Sequence, residues 1–275
     1  MKVVIFCGGL GVRMGEETQR IPKPMIRIGG KPMLWHIMRY YASWGHNDFV
    51  LCLGYKSEVV KEYFLSHEGA LFNDFTLERD ESGTRLEVLP AESDRWRIAF
   101  VDTGIEANIA ERLKAVEHYL PDDDFLATYG DGLTDAPLPD VIQASRESGK
   151  IATFLSVRPQ FNAHLVQTDV DGTVLSVTDL SASHVRINGG FFVFQRSIFD
   201  WIRPGDELVE ETFARLIPQG EVLAYPHEGF FGPMDTIKDR QRLEALHQSG
   251  NAPWRRVGDD ERALLTMGDA SPIGD

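Results

Sequence analysis

Lys2-Val3-Val4-Ile5-Phe6-Cys7-Gly8-Gly9-Leu10-Gly11-Val12-Arg13 opens the chain, and its reading decides the fold. A short apolar run that ends in glycines is the signature of a buried strand delivering its carboxyl end to a ligand-binding turn. Glycines there let backbone N–H groups turn inward toward a phosphate or a base edge, and Arg13 can pair bidentately with phosphate oxygens. Two common phosphate loops do not fit. The dinucleotide fingerprint needs a third glycine after Gly9 and Gly11 where Met14 stands, and no Gly-Lys-Ser/Thr follows for a Walker A loop. On these residues alone, a tight turn without a ligand stays open.

Working outward, strand-length apolar runs alternate with helical patterns over most of the chain, which points to βαβ units around a largely parallel sheet. The pattern predicts strands over 2–7, 49–53, 125–129, 152–157, 191–194 and 221–225. Helices are predicted over 32–44, stopped by Gly45, and over 58–65, 109–120, 208–217 and 236–247, the last entered from Thr236 as N-cap. Asp171-Gly172 predicts a hairpin, and the polar, β-prone stretch 70–101 is expected to form an antiparallel excursion. The fold class is α/β: a Rossmann-like mixed, mostly parallel sheet flanked by helices, with a β-rich insert. With no internal repeat and no linker-like composition, 1–256 reads as one domain and 257–275 as a flexible C-terminal tail.

The 275 residues are 43% hydrophobic and 25% charged, which excludes disordered, collagen-like and disulfide-scaffold classes. Against 28 Lys and Arg stand 42 Asp and Glu, a net charge of −14. Such a surface repels nucleic acid and anionic membranes, so neither is an expected partner. An anionic ligand then needs a local pocket of cations, N–H groups or metal. Cys7 and Cys52 lie in apolar runs and read as reduced core thiols, which points to the cytoplasm; no run suits a signal h-region or a membrane span.

Three further stretches carry candidate chemistry. In Ile21-Pro22-Lys23-Pro24-Met25 two prolines stiffen the backbone around a lysine, which lowers the cost of holding its ammonium at a site. Tyr129-Gly130-Asp131-Gly132 ends a predicted buried strand, where an aspartate between glycines can hold Mg²⁺ beside phosphates. Gly232-Pro233-Met234-Asp235-Thr236 offers Asp235 as a second metal ligand or as a helix cap.

In this order and spacing the four pieces resemble the sugar-1-phosphate nucleotidyltransferases, and within them the bacterial glucose-1-phosphate cytidylyltransferases. The likeness runs from Met1 to about Arg256 and includes Glu16-Glu17-Thr18, Gly54-Tyr55-Lys56, 187–193 and Ala252-Pro253-Trp254; Gly-Asp-Gly after Tyr129 favours the cytidylyl branch. The resemblance implies a nucleotide-diphospho-sugar transferase-like fold in which a sugar 1-phosphate oxygen attacks the α-phosphorus of CTP and pyrophosphate leaves. By the same resemblance Arg13 and Lys23 are the catalytic cations. Gly8, Gly9, Leu10, Gly11, Val12, Arg112 and Gly130 bind the nucleotide, and Tyr129, Asp179, Asn188 and Gly189 bind the acceptor. Asp131 and Asp235 hold Mg²⁺, and the chain forms a homo-oligomer.

The departures cluster in the acceptor half. Val12 stands where the family has threonine, and Asp179-Leu180-Ser181 stands where the family has Glu-Lys-Pro, whose lysine holds the sugar phosphate. Phe161-Asn162-Ala163-His164 replaces the family's Arg-Phe-Gly. Losing a preorganised cation is worth about 2.7–4 kcal/mol by analogy with an oxyanion-hole donor. Arg158, His164, His184 and Arg186 are the candidates to replace it, and the arginines offer a permanent charge. These departures leave two alternatives beside glucose 1-phosphate: a different phosphorylated acceptor, or a non-catalytic nucleotide-binding regulator.

Overall fold

The computed structural model describes residues 1–9, 21–66, 75–80, 83–88, 96–120, 123–160, 163–180 and 183–255, with backbone alone for 75–80 and 83–88. Leu10, Gly11, Val12 and Arg13 of the glycine-rich turn, and the tail 257–275, lie outside the described residues.

β1 (Lys2–Phe6) has Val3, Val4 and Ile5 fully buried, so its sequence is a continuous β-branched run rather than an alternating one. A ribbon of β2 (Arg27–Ile28) and β3 (Lys31–Pro32) leads into α1 (Met33–Ser43) and β4 (Asp48–Leu53). After α2 (Ser57–Ser66), β5 (Phe75–Asp80) and β6 (Gly83–Val88) form an antiparallel hairpin, and β7 (Arg97–Asp102) follows. Next come α3 (Ile109–Ala115), β8 (Phe125–Tyr129), β9 (Gly132–Thr134), α4 (Leu138–Ser148) and β10 (Ala152–Val157). β11 (His164–Thr168) and β12 (Val174–Asp179) make a second hairpin ahead of β13 (Ile187–Asn188) and β14 (Phe192–Phe194). A wide-turned helical segment, Leu208–Phe213, runs into α5 (Ala214–Leu216), and then β15 (Val222–His227), β16 (Phe231–Pro233) and α6 (Ile237–Gln248) follow.

Hydrogen bonding orders the sheet β7-β4-β1-β8-β14-β10-β15, with β13 lying against β10 beside β14. β7, β4, β1 and β8 are mutually parallel, and β14 runs against both β8 and β10. The carboxyl ends of β1, β8, β10 and β15 therefore share one edge with Asn188 and the start of β14. Every residue assigned a role by the resemblance, among those described, sits near this edge or on the hairpin that leaves it.

The mostly parallel mixed sheet is as expected, with three local differences. The excursion over 70–101 is antiparallel only in β5 and β6; β7 pairs in parallel with β4 as an edge strand. Its half-buried, mixed sequence hides that membership, because only one flank of an edge strand is paired. α3 ends at Ala115, and the chain tightens into a 3-10 turn over Glu117–Tyr119. α4 lies in a stretch assigned to no element, although Pro139 in its first turn and Leu138, Val141, Ile142 and Ser145 on its buried face are legible helix signals.

Helices cover both faces of the sheet. α1, α4 and α6 seal one core through Ile37, Tyr41, Val141 and Leu243. α3 and the segment after Leu208 seal the other through Leu113 and Phe213, where Phe192 stacks on Phe194 at 5.1 Å and 13°. Cys7 and Cys52 are both free and buried, on neighbouring strands.

His36 on α1 is a buried polar member of the first face. Its Nε2 lies 2.8 Å from Ile28 O and its Nδ1 accepts from Trp254 Nε1 at 3.4 Å, a pattern that uses the neutral ring. Burial lowers its pKa from 6.5 to about 4. The unfolded chain therefore binds more protons than the folded one between those values, so stability rises with pH through that window and falls on acidification. One such group contributes a slope of at most about 1.4 kcal/mol per pH unit. Urea unfolding from pH 4 to 6.5 is expected to show a rise that is shallower in His36→Gln; an unchanged slope would assign the rise to other groups.

Candidate active site at the carboxyl edge of the sheet

A cleft of about 520 Å³ opens where β1 and β8 end. Gly8 and Gly9 form part of its floor, directly after β1, and Tyr129, Gly130 and Asp131 line it at the end of β8. The Gly130 amide donates to Phe6 O at 3.1 Å, and a Cβ on Gly130 would lie 2.8 Å from that same oxygen. Glycine here lets the two strands stay paired past their ends and aims Asp131 into the cleft.

Lys23 reaches the site from a 3-10 turn, Lys23–Met25, in which Met25 N donates to Pro22 O at 2.8 Å and Pro24 and Met25 are buried. Anchoring the turn by its apolar residues leaves the lysine directed outward. Asp235 arrives from the far end of the chain, on the turn between β16 and α6. Pairing of β16 with β9 and the Met234 N to Asp131 O hydrogen bond at 2.9 Å bring it beside Asp131. The α6 N-terminus is capped by Thr236 and Asp239 in a capping box, so Asp235 is not the cap and its carboxylate faces the cleft.

These segments converge on one charge cluster. Lys23 Nζ donates to Asp131 Oδ2 at 2.7 Å and to Asp235 Oδ1 at 2.6 Å. Burial alone would depress the Lys23 pKa, but the charges of Asp131 and Asp235 and their hydrogen bonds outweigh it and hold the ammonium above its ordinary value. The carboxylates themselves remain 36% and 42% exposed, open enough for further ligands to reach them. Among the described residues no third His, Cys, Asp or Glu completes a protein cage for a metal. Two converging carboxylates that already hold a cation suit Mg²⁺, which binds through one or two carboxylates and fills its shell with water and phosphate oxygens.

Arg112 also lines the cleft, but its guanidinium is engaged elsewhere. Nη1 donates to Leu53 O, Thr103 Oγ1 and Gly104 O at 3.1, 2.7 and 2.8 Å, and Nη2 donates to Gly8 O and Ile105 O at 3.1 and 3.2 Å. It is buried, and a Cβ on Gly8 would fall 1.9 Å from Nη1. In this structure Arg112 braces the cleft floor from behind instead of pointing a free fork into it. Glu207, which sequence reasoning passed over, lines the same cleft and accepts from Ile109 N at 3.2 Å. No local motif marks it.

The acceptor residues separate into two places. Asn188 Nδ2 donates to Tyr129 Oη at 3.4 Å, and Gly189 N donates to Leu155 O at 2.8 Å, so Tyr129, Asn188 and Gly189 form one patch beside the cleft. The bend that follows is strained. Gly190 has φ +73°, with a Cβ there only 2.8 Å from the Tyr129 ring, and Phe191 holds φ +49° while stacked on Tyr41 at 5.9 Å. Asp179 instead sits exposed on β12, opposite His164 in the hairpin. Leu180 next to it is buried, its amide bonded to Ala163 O. Of the candidates to replace the missing cation, His164 and His184 are exposed, whereas Arg158 and Arg186 both pair with Glu228. Glu228 escaped sequence reasoning because it lies far along the chain from both arginines.

The nucleotidyl transferase family profile matches residues 2–258. The chain belongs to this family. A glucose-1-phosphate cytidylyltransferase of Salmonella typhi is 42% identical over 260 residues, covering 93% of this chain and 99% of that protein. A probable glucose-1-phosphate cytidylyltransferase of Bacillus subtilis is 39% identical over 259 residues, with the same coverage. Among solved structures, a putative glucose-1-phosphate thymidylyltransferase from Bacillus anthracis, in complex with a sucrose, superposes with a TM-score of 0.64 over 94% of this chain and 97% of its own. At 16% identity that likeness concerns the fold.

Arg112→Met is expected to destabilise the protein by at least about 2 kcal/mol in urea unfolding, since it takes the Arg112 donors away from the carbonyls of Gly104 and Ile105 and leaves those of Gly8 and Leu53 with only their bonds from Tyr55 N and Thr103. Arg112→Lys should recover only part of this, because an ammonium cannot reproduce the planar fork. Full recovery by lysine would argue for a simple charge effect.

Proposed function

We propose that this chain transfers CMP from CTP to a sugar 1-phosphate, with glucose 1-phosphate the default acceptor, giving a CDP-sugar and pyrophosphate in the presence of Mg²⁺. The observation that carries the reading is the Lys23 ammonium held between Asp131 and Asp235 at the mouth of a glycine-floored cleft. Kinship of about 40% with cytidylyltransferases along nearly the whole chain supports the choice of nucleotide.

In the reaction a phosphate oxygen of the acceptor forms a bond to the α-phosphorus of CTP, and the bond from that phosphorus to the bridging oxygen breaks, releasing pyrophosphate. No covalent enzyme intermediate is needed, so the protein's work is positioning and charge neutralisation. Gly8, Gly9, Leu10, Gly11 and Val12, with Gly130, bind the nucleotide as the resemblance implies. Arg112 braces this floor and sets the loop positions that read the base. Lys23 and Arg13 bind the triphosphate and stabilise the leaving pyrophosphate. Tyr129, Asn188 and Gly189 shape the acceptor side, with Asp179 at its margin. Bound Mg²⁺, held by Asp131 and Asp235, supplies further charge neutralisation on the phosphate oxygens.

A cytoplasmic location, a single catalytic unit over 1–256 and self-association belong to the same reading. The free, buried thiols of Cys7 and Cys52 accord with a reducing compartment, and among the described residues no helix is long and apolar enough to cross a membrane.

Pyrophosphate release from CTP and Mg²⁺ with a panel of sugar 1-phosphates tests the activity. Asp131→Asn should lower kcat at least about 10²-fold, in the range seen on losing one transition-state partner; a rate near that of the unmodified protein would remove Asp131 from the site. Leu180→Lys, which restores the family's residue type, is expected to lower the thermal midpoint without raising glucose 1-phosphate turnover. Leu180 is buried at the hairpin base, where an ammonium is costly. A gain in turnover would show that the new ammonium reaches the acceptor.

A further inference from the structure

Arg158 and Arg186 project from the ends of β10 and the segment before β13, at the same edge as the candidate active site. Arg158 Nε donates to Glu228 Oε2 at 2.7 Å while its Nη1 donates to Ser183 O at 3.1 Å. Arg186 Nη2 donates to Glu228 Oε1 while its Nη1 holds Ser156 O at 2.8 Å and His227 O at 3.4 Å. Each guanidinium is thus anchored to backbone on one side and presents its other side to a single carboxylate. Such anchoring removes most of the ordering cost of binding an oxyanion between them. The backbone around Glu228 is pinned independently, because Asp135 Oδ1 accepts from His227 Nε2 and from Phe230 N, both at 2.7 Å. Only the Glu228 side chain, 60% exposed, is left to leave the fork. The two arginines hold its carboxyl below the usual range, and they put two cations on this one anion, while the Asp135 carboxylate at the same turn is taken up by His227 and Phe230 N.

Position decides what this fork can read. β9 and β16 pair from Gly132 opposite Pro233 to Thr134 opposite Phe231. The ribbon starts at the Asp131 and Asp235 carboxylates and ends at Asp135 and the Glu228 turn. Four residue steps of extended chain lead from Asp131 to Asp135, about 13 Å at 3.3 Å per residue. A phosphate reacting beside Asp131 is therefore one ribbon length away from the turn that carries the fork.

We infer that Arg158 and Arg186 form a specificity site for a second anionic group on the acceptor, remote from the reacting phosphate, with Glu228 filling the site until the acceptor arrives. The inference rests on the sugar-phosphate transfer reading and names the substrate class: a sugar 1-phosphate carrying an additional carboxylate or phosphate. Fork geometry matches both groups, and Glu228 is itself a carboxylate in that position.

The test compares kcat/KM for glucose 1-phosphate, glucuronic acid 1-phosphate and glucose 1,6-bisphosphate, at fixed CTP and Mg²⁺. One of the two doubly anionic acceptors should exceed glucose 1-phosphate at least tenfold, and which one does identifies the second group. Arg158→Gln and Arg186→Gln should bring that ratio toward one, and Glu228→Gln should raise it by removing the competitor. Equal use of all three acceptors, or a preference that survives in both arginine variants, overturns the inference while leaving the transfer reading intact. An equal loss for all three acceptors in the arginine variants places the fork on the reacting phosphate and also overturns it. If no acceptor releases pyrophosphate, the transfer reading fails. Calorimetry with glucose 1,6-bisphosphate then decides the fork by itself: tighter binding than glucose 1-phosphate, lost in Arg186→Gln, supports it, and equal binding removes it.

Discussion

Five hydrogen bonds from the Arg112 guanidinium hold the loops behind three neighbouring strands to one point. Gly8 follows β1, Leu53 ends β4, and Thr103, Gly104 and Ile105 follow β7. Carbonyls at the ends of parallel strands lose their sheet partners together, and burying them without donors would be costly. A single buried arginine satisfies several at once, which fixes the floor of the cleft. The lack of a side chain at Gly8 is what lets the guanidinium lie against the chain there. The arginine is thus part of the architecture before it is part of any chemistry.

On that floor, the site handles an electrostatic problem set by composition. A chain with 42 acidic residues repels anions at long range, so attraction to a triphosphate has to be built locally. Lys23, Asp131 and Asp235 converge from segments 108 and 212 residues apart, in a partly enclosed cleft where screening is weaker than at the surface. The carboxylates, which would repel the nucleotide alone, become cation holders. The lysine lies between the two carboxylates, and each side chain is oriented by a short rigid element: the proline-bracketed turn, the glycine after β8, the capped start of α6.

The acceptor half follows a different plan. Leu180, which stands where the resemblance expects a lysine, is buried at the hairpin base. Arg158 just after β10 and Arg186 just ahead of β13 pair with Glu228, which follows the neighbouring β15. The two arginines and Glu228 have no shared local sequence pattern.

Much of this was legible in the sequence by itself. Apolar runs of strand length, glycines at strand ends and the Thr236 cap pointed to a largely parallel sheet and to the motifs that carry Lys23, Asp131 and Asp235, because backbone propensity, burial period and turn chemistry are local properties. Other features depended on distant parts of the chain meeting. β7 joined the sheet instead of the insert because a pairing partner outweighed an ambiguous pattern. Arg112 became a brace because five acceptors surround it in space, and Glu228 became a counter-ion for two arginines 70 and 42 residues away. Sequence determined which groups are available and on which elements they stand. Only the tertiary structure decided which donor meets which acceptor, since hydrogen bonds and ion pairs act over a few ångströms and the spacing of residues along a chain does not specify those distances.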